Sequence, residues 1–222
     1  PVLLRRLAER FNGAVAVLTG RRVADLDGLL GLVDLPVAGT HGLERRRADG
    51  SFEAPAPEIL AGSAAIADAV APFVAAHSAL ILERKPGAVA LHFRRAPAAE
   101  ADCLKTMSEA VAAVEGFTVL KGRKVVEARP AGLSKGTALR AFMQEAPFRG
   151  RIPVCIGDDT TDEDGFAAAQ ALGGVGIRLG DAPTAARLRI ADVGSVHALM
   201  DGLADLPTRR PTNIAEEVAV SP

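Results

Sequence analysis

An acidic segment, Gly157-Asp-Asp-Thr-Thr-Asp-Glu163, follows directly after the apolar run 152–156. Its later carboxylates suit the positive end of a following helix, but Asp158 and Asp159 are not explained in this way. At the carboxyl end of a buried strand, adjacent carboxylates repel one another unless a cation lies between them. Mg²⁺ prefers such oxygen ligands, so we predict a Mg²⁺ site at Asp158 and Asp159. A purely structural acidic turn is the alternative.

A second apolar run, residues 14–18, ends in a hydroxyl, a glycine and a cation at Thr19, Gly20 and Arg21. A hydroxyl and backbone N–H groups at the start of a helix can hold phosphate oxygens. Taken alone, this pattern favours an ordinary turn, because a Thr-Gly turn after a strand is common.

Lys135 lies in the first turn of a predicted helix, after Ser134, which is suited to cap that helix. A cation at this end opposes the helix dipole, and a bound anion reverses that cost. Lys135 therefore indicates a phosphate or carboxylate nearby, although a solvated surface lysine is the alternative.

The elements that must position these residues alternate between helix and strand in two separate parts of the chain. Residues 1–56 and 130–204 show short apolar runs between helical patterns, which is typical of an α/β domain with a parallel sheet. Between them, residues 57–129 predict the order αββαββ, with turn signals that favour antiparallel hairpins. We predict a flexible tail over 205–222.

The composition excludes several classes of protein. The 222 residues carry a formal net charge of −1, which gives no overall attraction to nucleic acid or to an anionic membrane. No uninterrupted apolar stretch approaches the ~18 residues of a membrane span, and no signal sequence is evident. Cys103 and Cys155 do not suggest a disulfide framework. We expect a cytoplasmic monomer.

The hydroxyl, the lysine and the acidic pair follow one another in the order found in the haloacid dehalogenase superfamily, which the chain resembles. Within that superfamily it resembles the trehalose-6-phosphate phosphatases. The resemblance rests on these segments: Leu18-Thr-Gly-Arg21, Ala38-Gly-Thr-His-Gly-Leu-Glu44, Val125-Val-Glu127, Ser134-Lys-Gly136, Phe142-Met-Gln-Glu-Ala-Pro-Phe148 and Gly157-Asp-Asp-Thr-Thr-Asp-Glu163.

The resemblance implies a haloacid dehalogenase-like Rossmannoid core with an inserted α+β cap formed by residues 57–129. It implies Mg²⁺-dependent hydrolysis of trehalose 6-phosphate in trehalose biosynthesis. The implied catalytic residues are Thr19, Lys135 and Asp159, and the implied Mg²⁺ ligands are Asp158 and Asp159. The implied substrate-binding residues are Gly20, Arg21, His41, Glu83, Lys85, Arg94 and Glu127. Without the resemblance, Glu83 and Lys85 would indicate salt bridges on a solvated sheet face.

The family's nucleophile, the first aspartate of an Asp-x-Asp-Gly-Thr segment on the first strand, is not found in this sequence. The similar Asp25-Leu-Asp-Gly28 lies in a helical pattern and is rejected. We expect the segment to lie upstream of Pro1 and the 222 residues alone to be inactive. The alternatives are a related phosphatase for sucrose phosphate or mannosyl-phosphoglycerate, and a non-catalytic sugar-phosphate sensor.

Overall fold

The computed structural model describes residues 2–31 and 35–206, so most of the predicted tail lies outside the described residues. The helices are α1 Val2–Arg10, α2 Val23–Leu30, α3 Pro57–Ala75, α4 Glu100–Ala112, α5 Lys135–Met143, α6 Glu163–Ala171 and α7 Val193–Asp205. The strands are β1 Val17–Leu18, β2 Val37–Gly39, β3 Glu44–Arg46, β4 Phe52–Glu53, β5 Ile81–Lys85, β6 Ala88–His92, β7 Phe117–Gly122, β8 Val125–Pro130, β9 Val154–Gly157, β10 Val175–Leu179 and β11 Leu188–Ile190.

The strands form three sheets. In the first, of order β1-β2-β3-β4, β1 and β2 are parallel, and β3 and β4 are added antiparallel. The second, of order β11-β10-β9, is entirely parallel. The third, of order β5-β6-β8-β7, is entirely antiparallel and is called the cap sheet below. This is the predicted combination of an α/β core and an αββαββ segment.

One face of the cap sheet is covered by α3 and α4. Ile66 on α3, Met107 on α4 and Leu91 on β6 are each fully buried and belong to one apolar cluster. Because side chains alternate along a strand, the residues between these buried positions point to the opposite face. The cap sheet therefore presents a second face that α3 and α4 do not cover.

By length and composition, α3 could cross a membrane, although the sequence contains no uninterrupted apolar stretch of that length. Its buried residues Ile66, Ala67 and Val70 instead pack in the cluster beneath the cap sheet. Burial of these side chains against β6 and α4 accounts for part of the apolar character of the helix.

The first and second sheets meet the same helix. Leu139 on α5 and Cys155 on β9 belong to one apolar cluster, and Leu18 on β1 packs against it. Within the described residues, β1 pairs only with β2, and β9 pairs only with β10. Each of these strands therefore leaves one edge unpaired beside α5.

Candidate active site

The turn after β1 is held by short local hydrogen bonds. The Thr19 hydroxyl accepts a hydrogen bond of 3.1 Å from the Arg21 N–H, and the Thr19 carbonyl accepts one of 2.9 Å from the His41 N–H. The Thr19 hydroxyl keeps its own proton available for another acceptor. The predicted residues Thr19, Gly20 and Arg21 thus form one turn that is tied to His41.

Lys135 is buried, with 7% of its surface exposed, and is not the solvated surface lysine that was the alternative. Its Nζ donates a hydrogen bond of 2.6 Å to Oδ1 of Asp162, which is equally buried. Ser134 caps α5 as predicted and accepts hydrogen bonds from the N–H groups of Gly136 and Thr137. The N-terminus of α5 therefore places the lysine against the acidic segment.

Asp162 organises that segment and was not predicted as a site residue. Its Oδ2 accepts hydrogen bonds from the N–H groups of Asp158 at 3.0 Å and Asp159 at 2.9 Å. A Cβ at Gly157 would overlap its carboxyl group, so glycine is required there. The sequence signal that could have identified Asp162 is its position, because it is a third carboxylate only three residues after Asp159.

Asp158 and Asp159 are both exposed at the end of β9. Asp159 caps a 3-10 turn over Thr160–Asp162 and accepts a hydrogen bond of 2.7 Å from the Thr160 N–H. The Asp158 side chain has no hydrogen-bond or ion-pair partner within residues 2–31 and 35–206. One carboxylate of the pair is therefore engaged in the turn, whereas the other is available.

The pair fits a Mg²⁺ ion of the kind that phosphate-processing proteins use. Mg²⁺ commonly takes one or two carboxylates and completes its octahedron with water and substrate phosphate. In the described part of the chain no group of three or more His, Cys, Asp or Glu side chains is arranged to hold a metal. A site made of Asp158 and Asp159 would thus depend on water and substrate for its other ligands.

Arg178 on β10 supports the same segment and was missed from the sequence. It is 6% exposed, and its Nη1 donates hydrogen bonds to the Asp159 carbonyl at 2.9 Å and to Glu163 at 3.2 Å. An arginine at the end of a short apolar strand gives no local sign of this contact. Arg178 therefore fixes the position of Asp159 from the neighbouring strand.

His41 lies between the turn after β1 and the cap sheet. A Cβ at Gly20 would stand 2.7 Å from the imidazole Cε1 and Nε2, so the ring lies directly over this glycine. Thr40 and His41 both have positive φ, of 46° and 58°, which stores backbone strain at this turn. Together these features hold the His41 ring in a closely defined position.

The surroundings of His41 favour the neutral ring. Burial lowers the pKa of His41 below its ordinary value; Glu127 acts in the opposite direction, and Lys135, Lys85 and Arg129 lower it further. The Glu127 Oε2 lies 3.9 Å from the His41 Nε2. His41 is therefore a contact point between the core and the cap sheet.

Two of the predicted cap residues make contacts with one another and with His41. Lys85 Nζ lies 3.5 Å from the Oε1 of Glu127, which is 8% exposed, so these two side chains and His41 are brought together. Glu83 is exposed and accepts a hydrogen bond of 2.9 Å from His92. Arg94 lines a cavity of about 440 Å³ together with Glu83.

A cleft of about 310 Å³ separates the cap sheet from the turn after β1. Gly20 and Arg21 line it from the core, and Glu83 and Lys85 line it from the cap sheet. Polar groups of both signs thus face one another across a space that a small polar ligand could occupy.

Arg129 on β8 is a further charged residue that sequence reasoning missed. Its Nε and Nη1 atoms are buried and have no hydrogen-bond partner within the described residues.

Cys155 is explained by packing alone, because burial raises the pKa of its thiol to about 12 and disfavours the reactive thiolate.

Comparison with known proteins places this chain in one family. The trehalose-phosphatase family model matches residues 2–192. The trehalose-6-phosphate phosphatase of Escherichia coli K12 is 39% identical over 200 residues, which cover 89% of this chain and 74% of that protein.

Two solved structures share the fold. The C-terminal domain of Candida albicans trehalose-6-phosphate phosphatase has a TM-score of 0.76 at 20% identity, over 93% of this chain and 83% of that one. A phosphatase of the haloalkanoate (HAD) enzyme superfamily from Bacteroides thetaiotaomicron has a TM-score of 0.58 at 17% identity, over 90% of this chain and 86% of that one. The predicted fold class is confirmed.

Proposed function

This chain belongs to the trehalose-phosphatase family, and from that premise we propose that it hydrolyses trehalose 6-phosphate to trehalose and phosphate in trehalose biosynthesis. The observation that carries the proposal is the cleft in which Gly20 and Arg21 of the core face Glu83 and Lys85 of the cap sheet. A phosphate group needs hydrogen-bond donors, whereas a sugar needs both donors and acceptors. The core side of the cleft offers the former and the cap side, with Glu83 and Lys85, offers the latter.

The sugar is assigned to the cap. Glu83, Lys85, Arg94 and Glu127 carry donors and acceptors suited to sugar hydroxyls, and a site built for hydroxyls discriminates against ligands that lack them. Glu83 lines the cavity beside Arg94 as well as the cleft beside Lys85, which supports contacts to two parts of a disaccharide. His41, held over Gly20, positions the substrate where the core and the cap meet.

The phosphate group is assigned to the core. Thr19 has a hydroxyl proton to donate and Gly20 adds a backbone N–H group ahead of α2, whereas the Arg21 N–H is already donated to the Thr19 hydroxyl. Lys135 uses one of its three N–H donors on Asp162 and can direct the others at phosphoryl oxygens. These donors would stabilise the charge that develops as the P–O bond breaks.

Asp158 and Asp159 are proposed to hold Mg²⁺, with Asp158 as the principal ligand. When bound there, Mg²⁺ supplies positive charge against the phosphoryl oxygens. The hydrogen bonds from Arg178 and to Asp162 keep the backbone of the two aspartates in place. The protein thus contributes a prepared turn as well as the ligands.

The nucleophile is proposed to be an aspartate on a strand that pairs with the free edges of β1 and β9. Its carboxylate oxygen would attack phosphorus as the bond to the sugar oxygen breaks and that oxygen takes a proton; water then hydrolyses the aspartyl-phosphate. The 222 residues contain no Asp-x-Asp-Gly-Thr segment, and we propose that a longer form of the protein supplies it.

The test uses the full-length protein and measures phosphate release from trehalose 6-phosphate, sucrose 6-phosphate and mannosyl-phosphoglycerate, with Mg²⁺ and with a chelator. We expect hydrolysis of trehalose 6-phosphate that requires Mg²⁺ and is abolished by Asp158→Asn. Asp164→Asn is the matched control, because Asp164 is an exposed aspartate in the same segment. The fragment 1–222 should be inactive.

Other outcomes identify the rival functions. Faster hydrolysis of another phosphate ester would assign the chain to a related sugar-phosphate phosphatase. Tight calorimetric binding of trehalose 6-phosphate without hydrolysis would indicate a sensor. Unchanged turnover in Asp158→Asn would contradict the Mg²⁺ assignment alone.

A further inference from the structure

Arg129 belongs to the face of the cap sheet that looks towards the core. It follows Glu127 by two residues on β8, so the two side chains point to the same face. On that face Glu127 lies beside Lys85 and close to His41. Arg129 is near enough to His41 to lower its pKa.

The region around His41 carries an excess of positive charge. Lys85, Lys135 and Arg129 all disfavour the protonated ring, and Glu127 opposes them. The charge of Lys135 is already balanced by Asp162 at 2.6 Å, and Lys85 lies 3.5 Å from Glu127. Arg129 has no carboxylate within salt-bridge distance in the described part of the chain.

The unsatisfied donors of Arg129 need an explanation. A buried N–H group without an acceptor is unfavourable, and more so when it is charged. The Nε and Nη1 atoms of Arg129 are in this state within residues 2–31 and 35–206. A ligand with anionic oxygens would satisfy both atoms, and guanidinium groups match phosphate particularly well.

We propose that Arg129 is a substrate-binding residue that donates hydrogen bonds from the cap sheet to the phosphate group of the substrate. The inference rests on the proposed function and adds to it a specificity role. Arg129 would favour the phosphorylated sugar over the free sugar, because only the former offers the missing acceptor. It would also bind inorganic phosphate, the second product.

The matched variants are Arg129→Gln, Arg129→Lys and, as control, Arg123→Gln. Arg123 also lies on the hairpin between β7 and β8, but it is exposed at the turn. Binding of inorganic phosphate and, separately, of trehalose to the full-length protein is measured by calorimetry. Steady-state kinetics with trehalose 6-phosphate give KM and kcat for the same proteins.

Because Arg129→Gln removes a charged hydrogen bond, we expect it to weaken phosphate binding by about 10-fold to 100-fold and to raise KM. Binding of trehalose should change by less than about 3-fold, since it lacks the phosphate acceptor. Arg129→Lys should lose less, because it keeps the charge without the guanidinium fork. Arg123→Gln should match the wild type in every measurement.

A purely structural role would give a different pattern. Equal weakening of phosphate and trehalose binding in Arg129→Gln, or unchanged phosphate binding, would overturn the inference. If Arg129→Gln does not fold, the same comparison in Arg129→Lys decides. The calorimetric measurement needs no turnover, so a wild type that binds phosphate without hydrolysing trehalose 6-phosphate overturns the proposed function and leaves this inference standing.

Discussion

Lys135 and Asp162 form a buried ion pair with 2.6 Å between Nζ and Oδ1, and it connects the N-terminus of α5 to the acidic segment after β9. The second carboxylate oxygen of Asp162 accepts the N–H groups of Asp158 and Asp159. One carboxylate therefore sets both the position of the lysine and the path of the backbone that carries the acidic pair. This coupling makes Asp162 the first residue to test.

Asp162→Asn is expected to lower the free energy of unfolding by about 3 kcal/mol, because it leaves Lys135 buried without its counter-charge. Urea denaturation of the full-length protein, monitored by circular dichroism, measures the change. Asp164→Asn should alter stability by no more than about 0.5 kcal/mol, since Asp164 is exposed. Similar stabilities for the two variants would show that the buried pair contributes little.

Gly20→Ala is expected to displace the His41 ring, because the new Cβ would stand 2.7 Å from two ring atoms. Overpacking of this kind lowers stability by about 1 to 3 kcal/mol. Displacement of His41, which we propose positions the substrate, should also lower kcat/KM by roughly 10-fold to 100-fold. Denaturation and steady-state kinetics measure the two effects.

The control is Gly28→Ala, since Gly28 is an exposed position within α2 where a Cβ would meet no atom within 4 Å. Alanine in a helix interior should raise stability by about 0.5 to 1 kcal/mol and leave activity unchanged. A loss of activity in Gly28→Ala comparable to that in Gly20→Ala would contradict the role assigned to the His41 contact.

The strands that could be predicted from the sequence are those with local signals. Apolar runs bounded by turn residues identified β1, β2, β9, β10 and the cap hairpins. Strands β3, β4 and β11 were missed, and β3 shows the reason. It is made of Glu44-Arg-Arg46, and the partners of these side chains lie on other elements. Glu44 accepts a hydrogen bond from the Val23 N–H, and Arg46 pairs with Asp27. Arg45 pairs with Glu53 and Glu145. No local pattern encodes such contacts.

The same distinction applies to the site. Thr19, Lys135, Asp158 and Asp159 could be predicted as site residues because each follows a strand or opens a helix, which the sequence reveals. Asp162, Arg178 and Arg129 were missed because their importance depends on burial and on partners from other elements. Charged residues are ordinarily solvated, and only tertiary packing distinguishes the buried Asp162 and Arg178 from their solvated neighbours.

Asp158 and Asp159 are expected to differ in their effect on stability without Mg²⁺. Asp159→Ala removes the cap of the 3-10 turn and should cost about 1 kcal/mol. Asp158→Ala should change stability by less than about 0.5 kcal/mol, because its side chain has no partner in the described residues. Denaturation with a chelator present measures this difference, and equal losses would contradict the distinct roles of the two carboxylates.

His41 is expected to make stability fall as the pH decreases below about 6.5. Its folded-state pKa lies below the ordinary value of 6.5, chiefly because of burial, with Glu127 opposing and Lys135, Lys85 and Arg129 assisting. When the pH falls below 6.5, the unfolded state therefore binds a proton more readily than the folded state. Stability decreases until the pH reaches the folded-state pKa of His41.

Replacing His41 with Asn should flatten this part of the stability profile, since asparagine tolerates the positive φ and does not titrate there. Urea denaturation between pH 5 and 8 measures the difference from the wild type, with pH values chosen around the ordinary histidine pKa. His197→Asn, at an exposed position on α7, is the control and should keep the wild-type profile. If His41→Asn loses as much stability as the wild type between pH 7 and 5, the neutral, buried state of His41 is wrong.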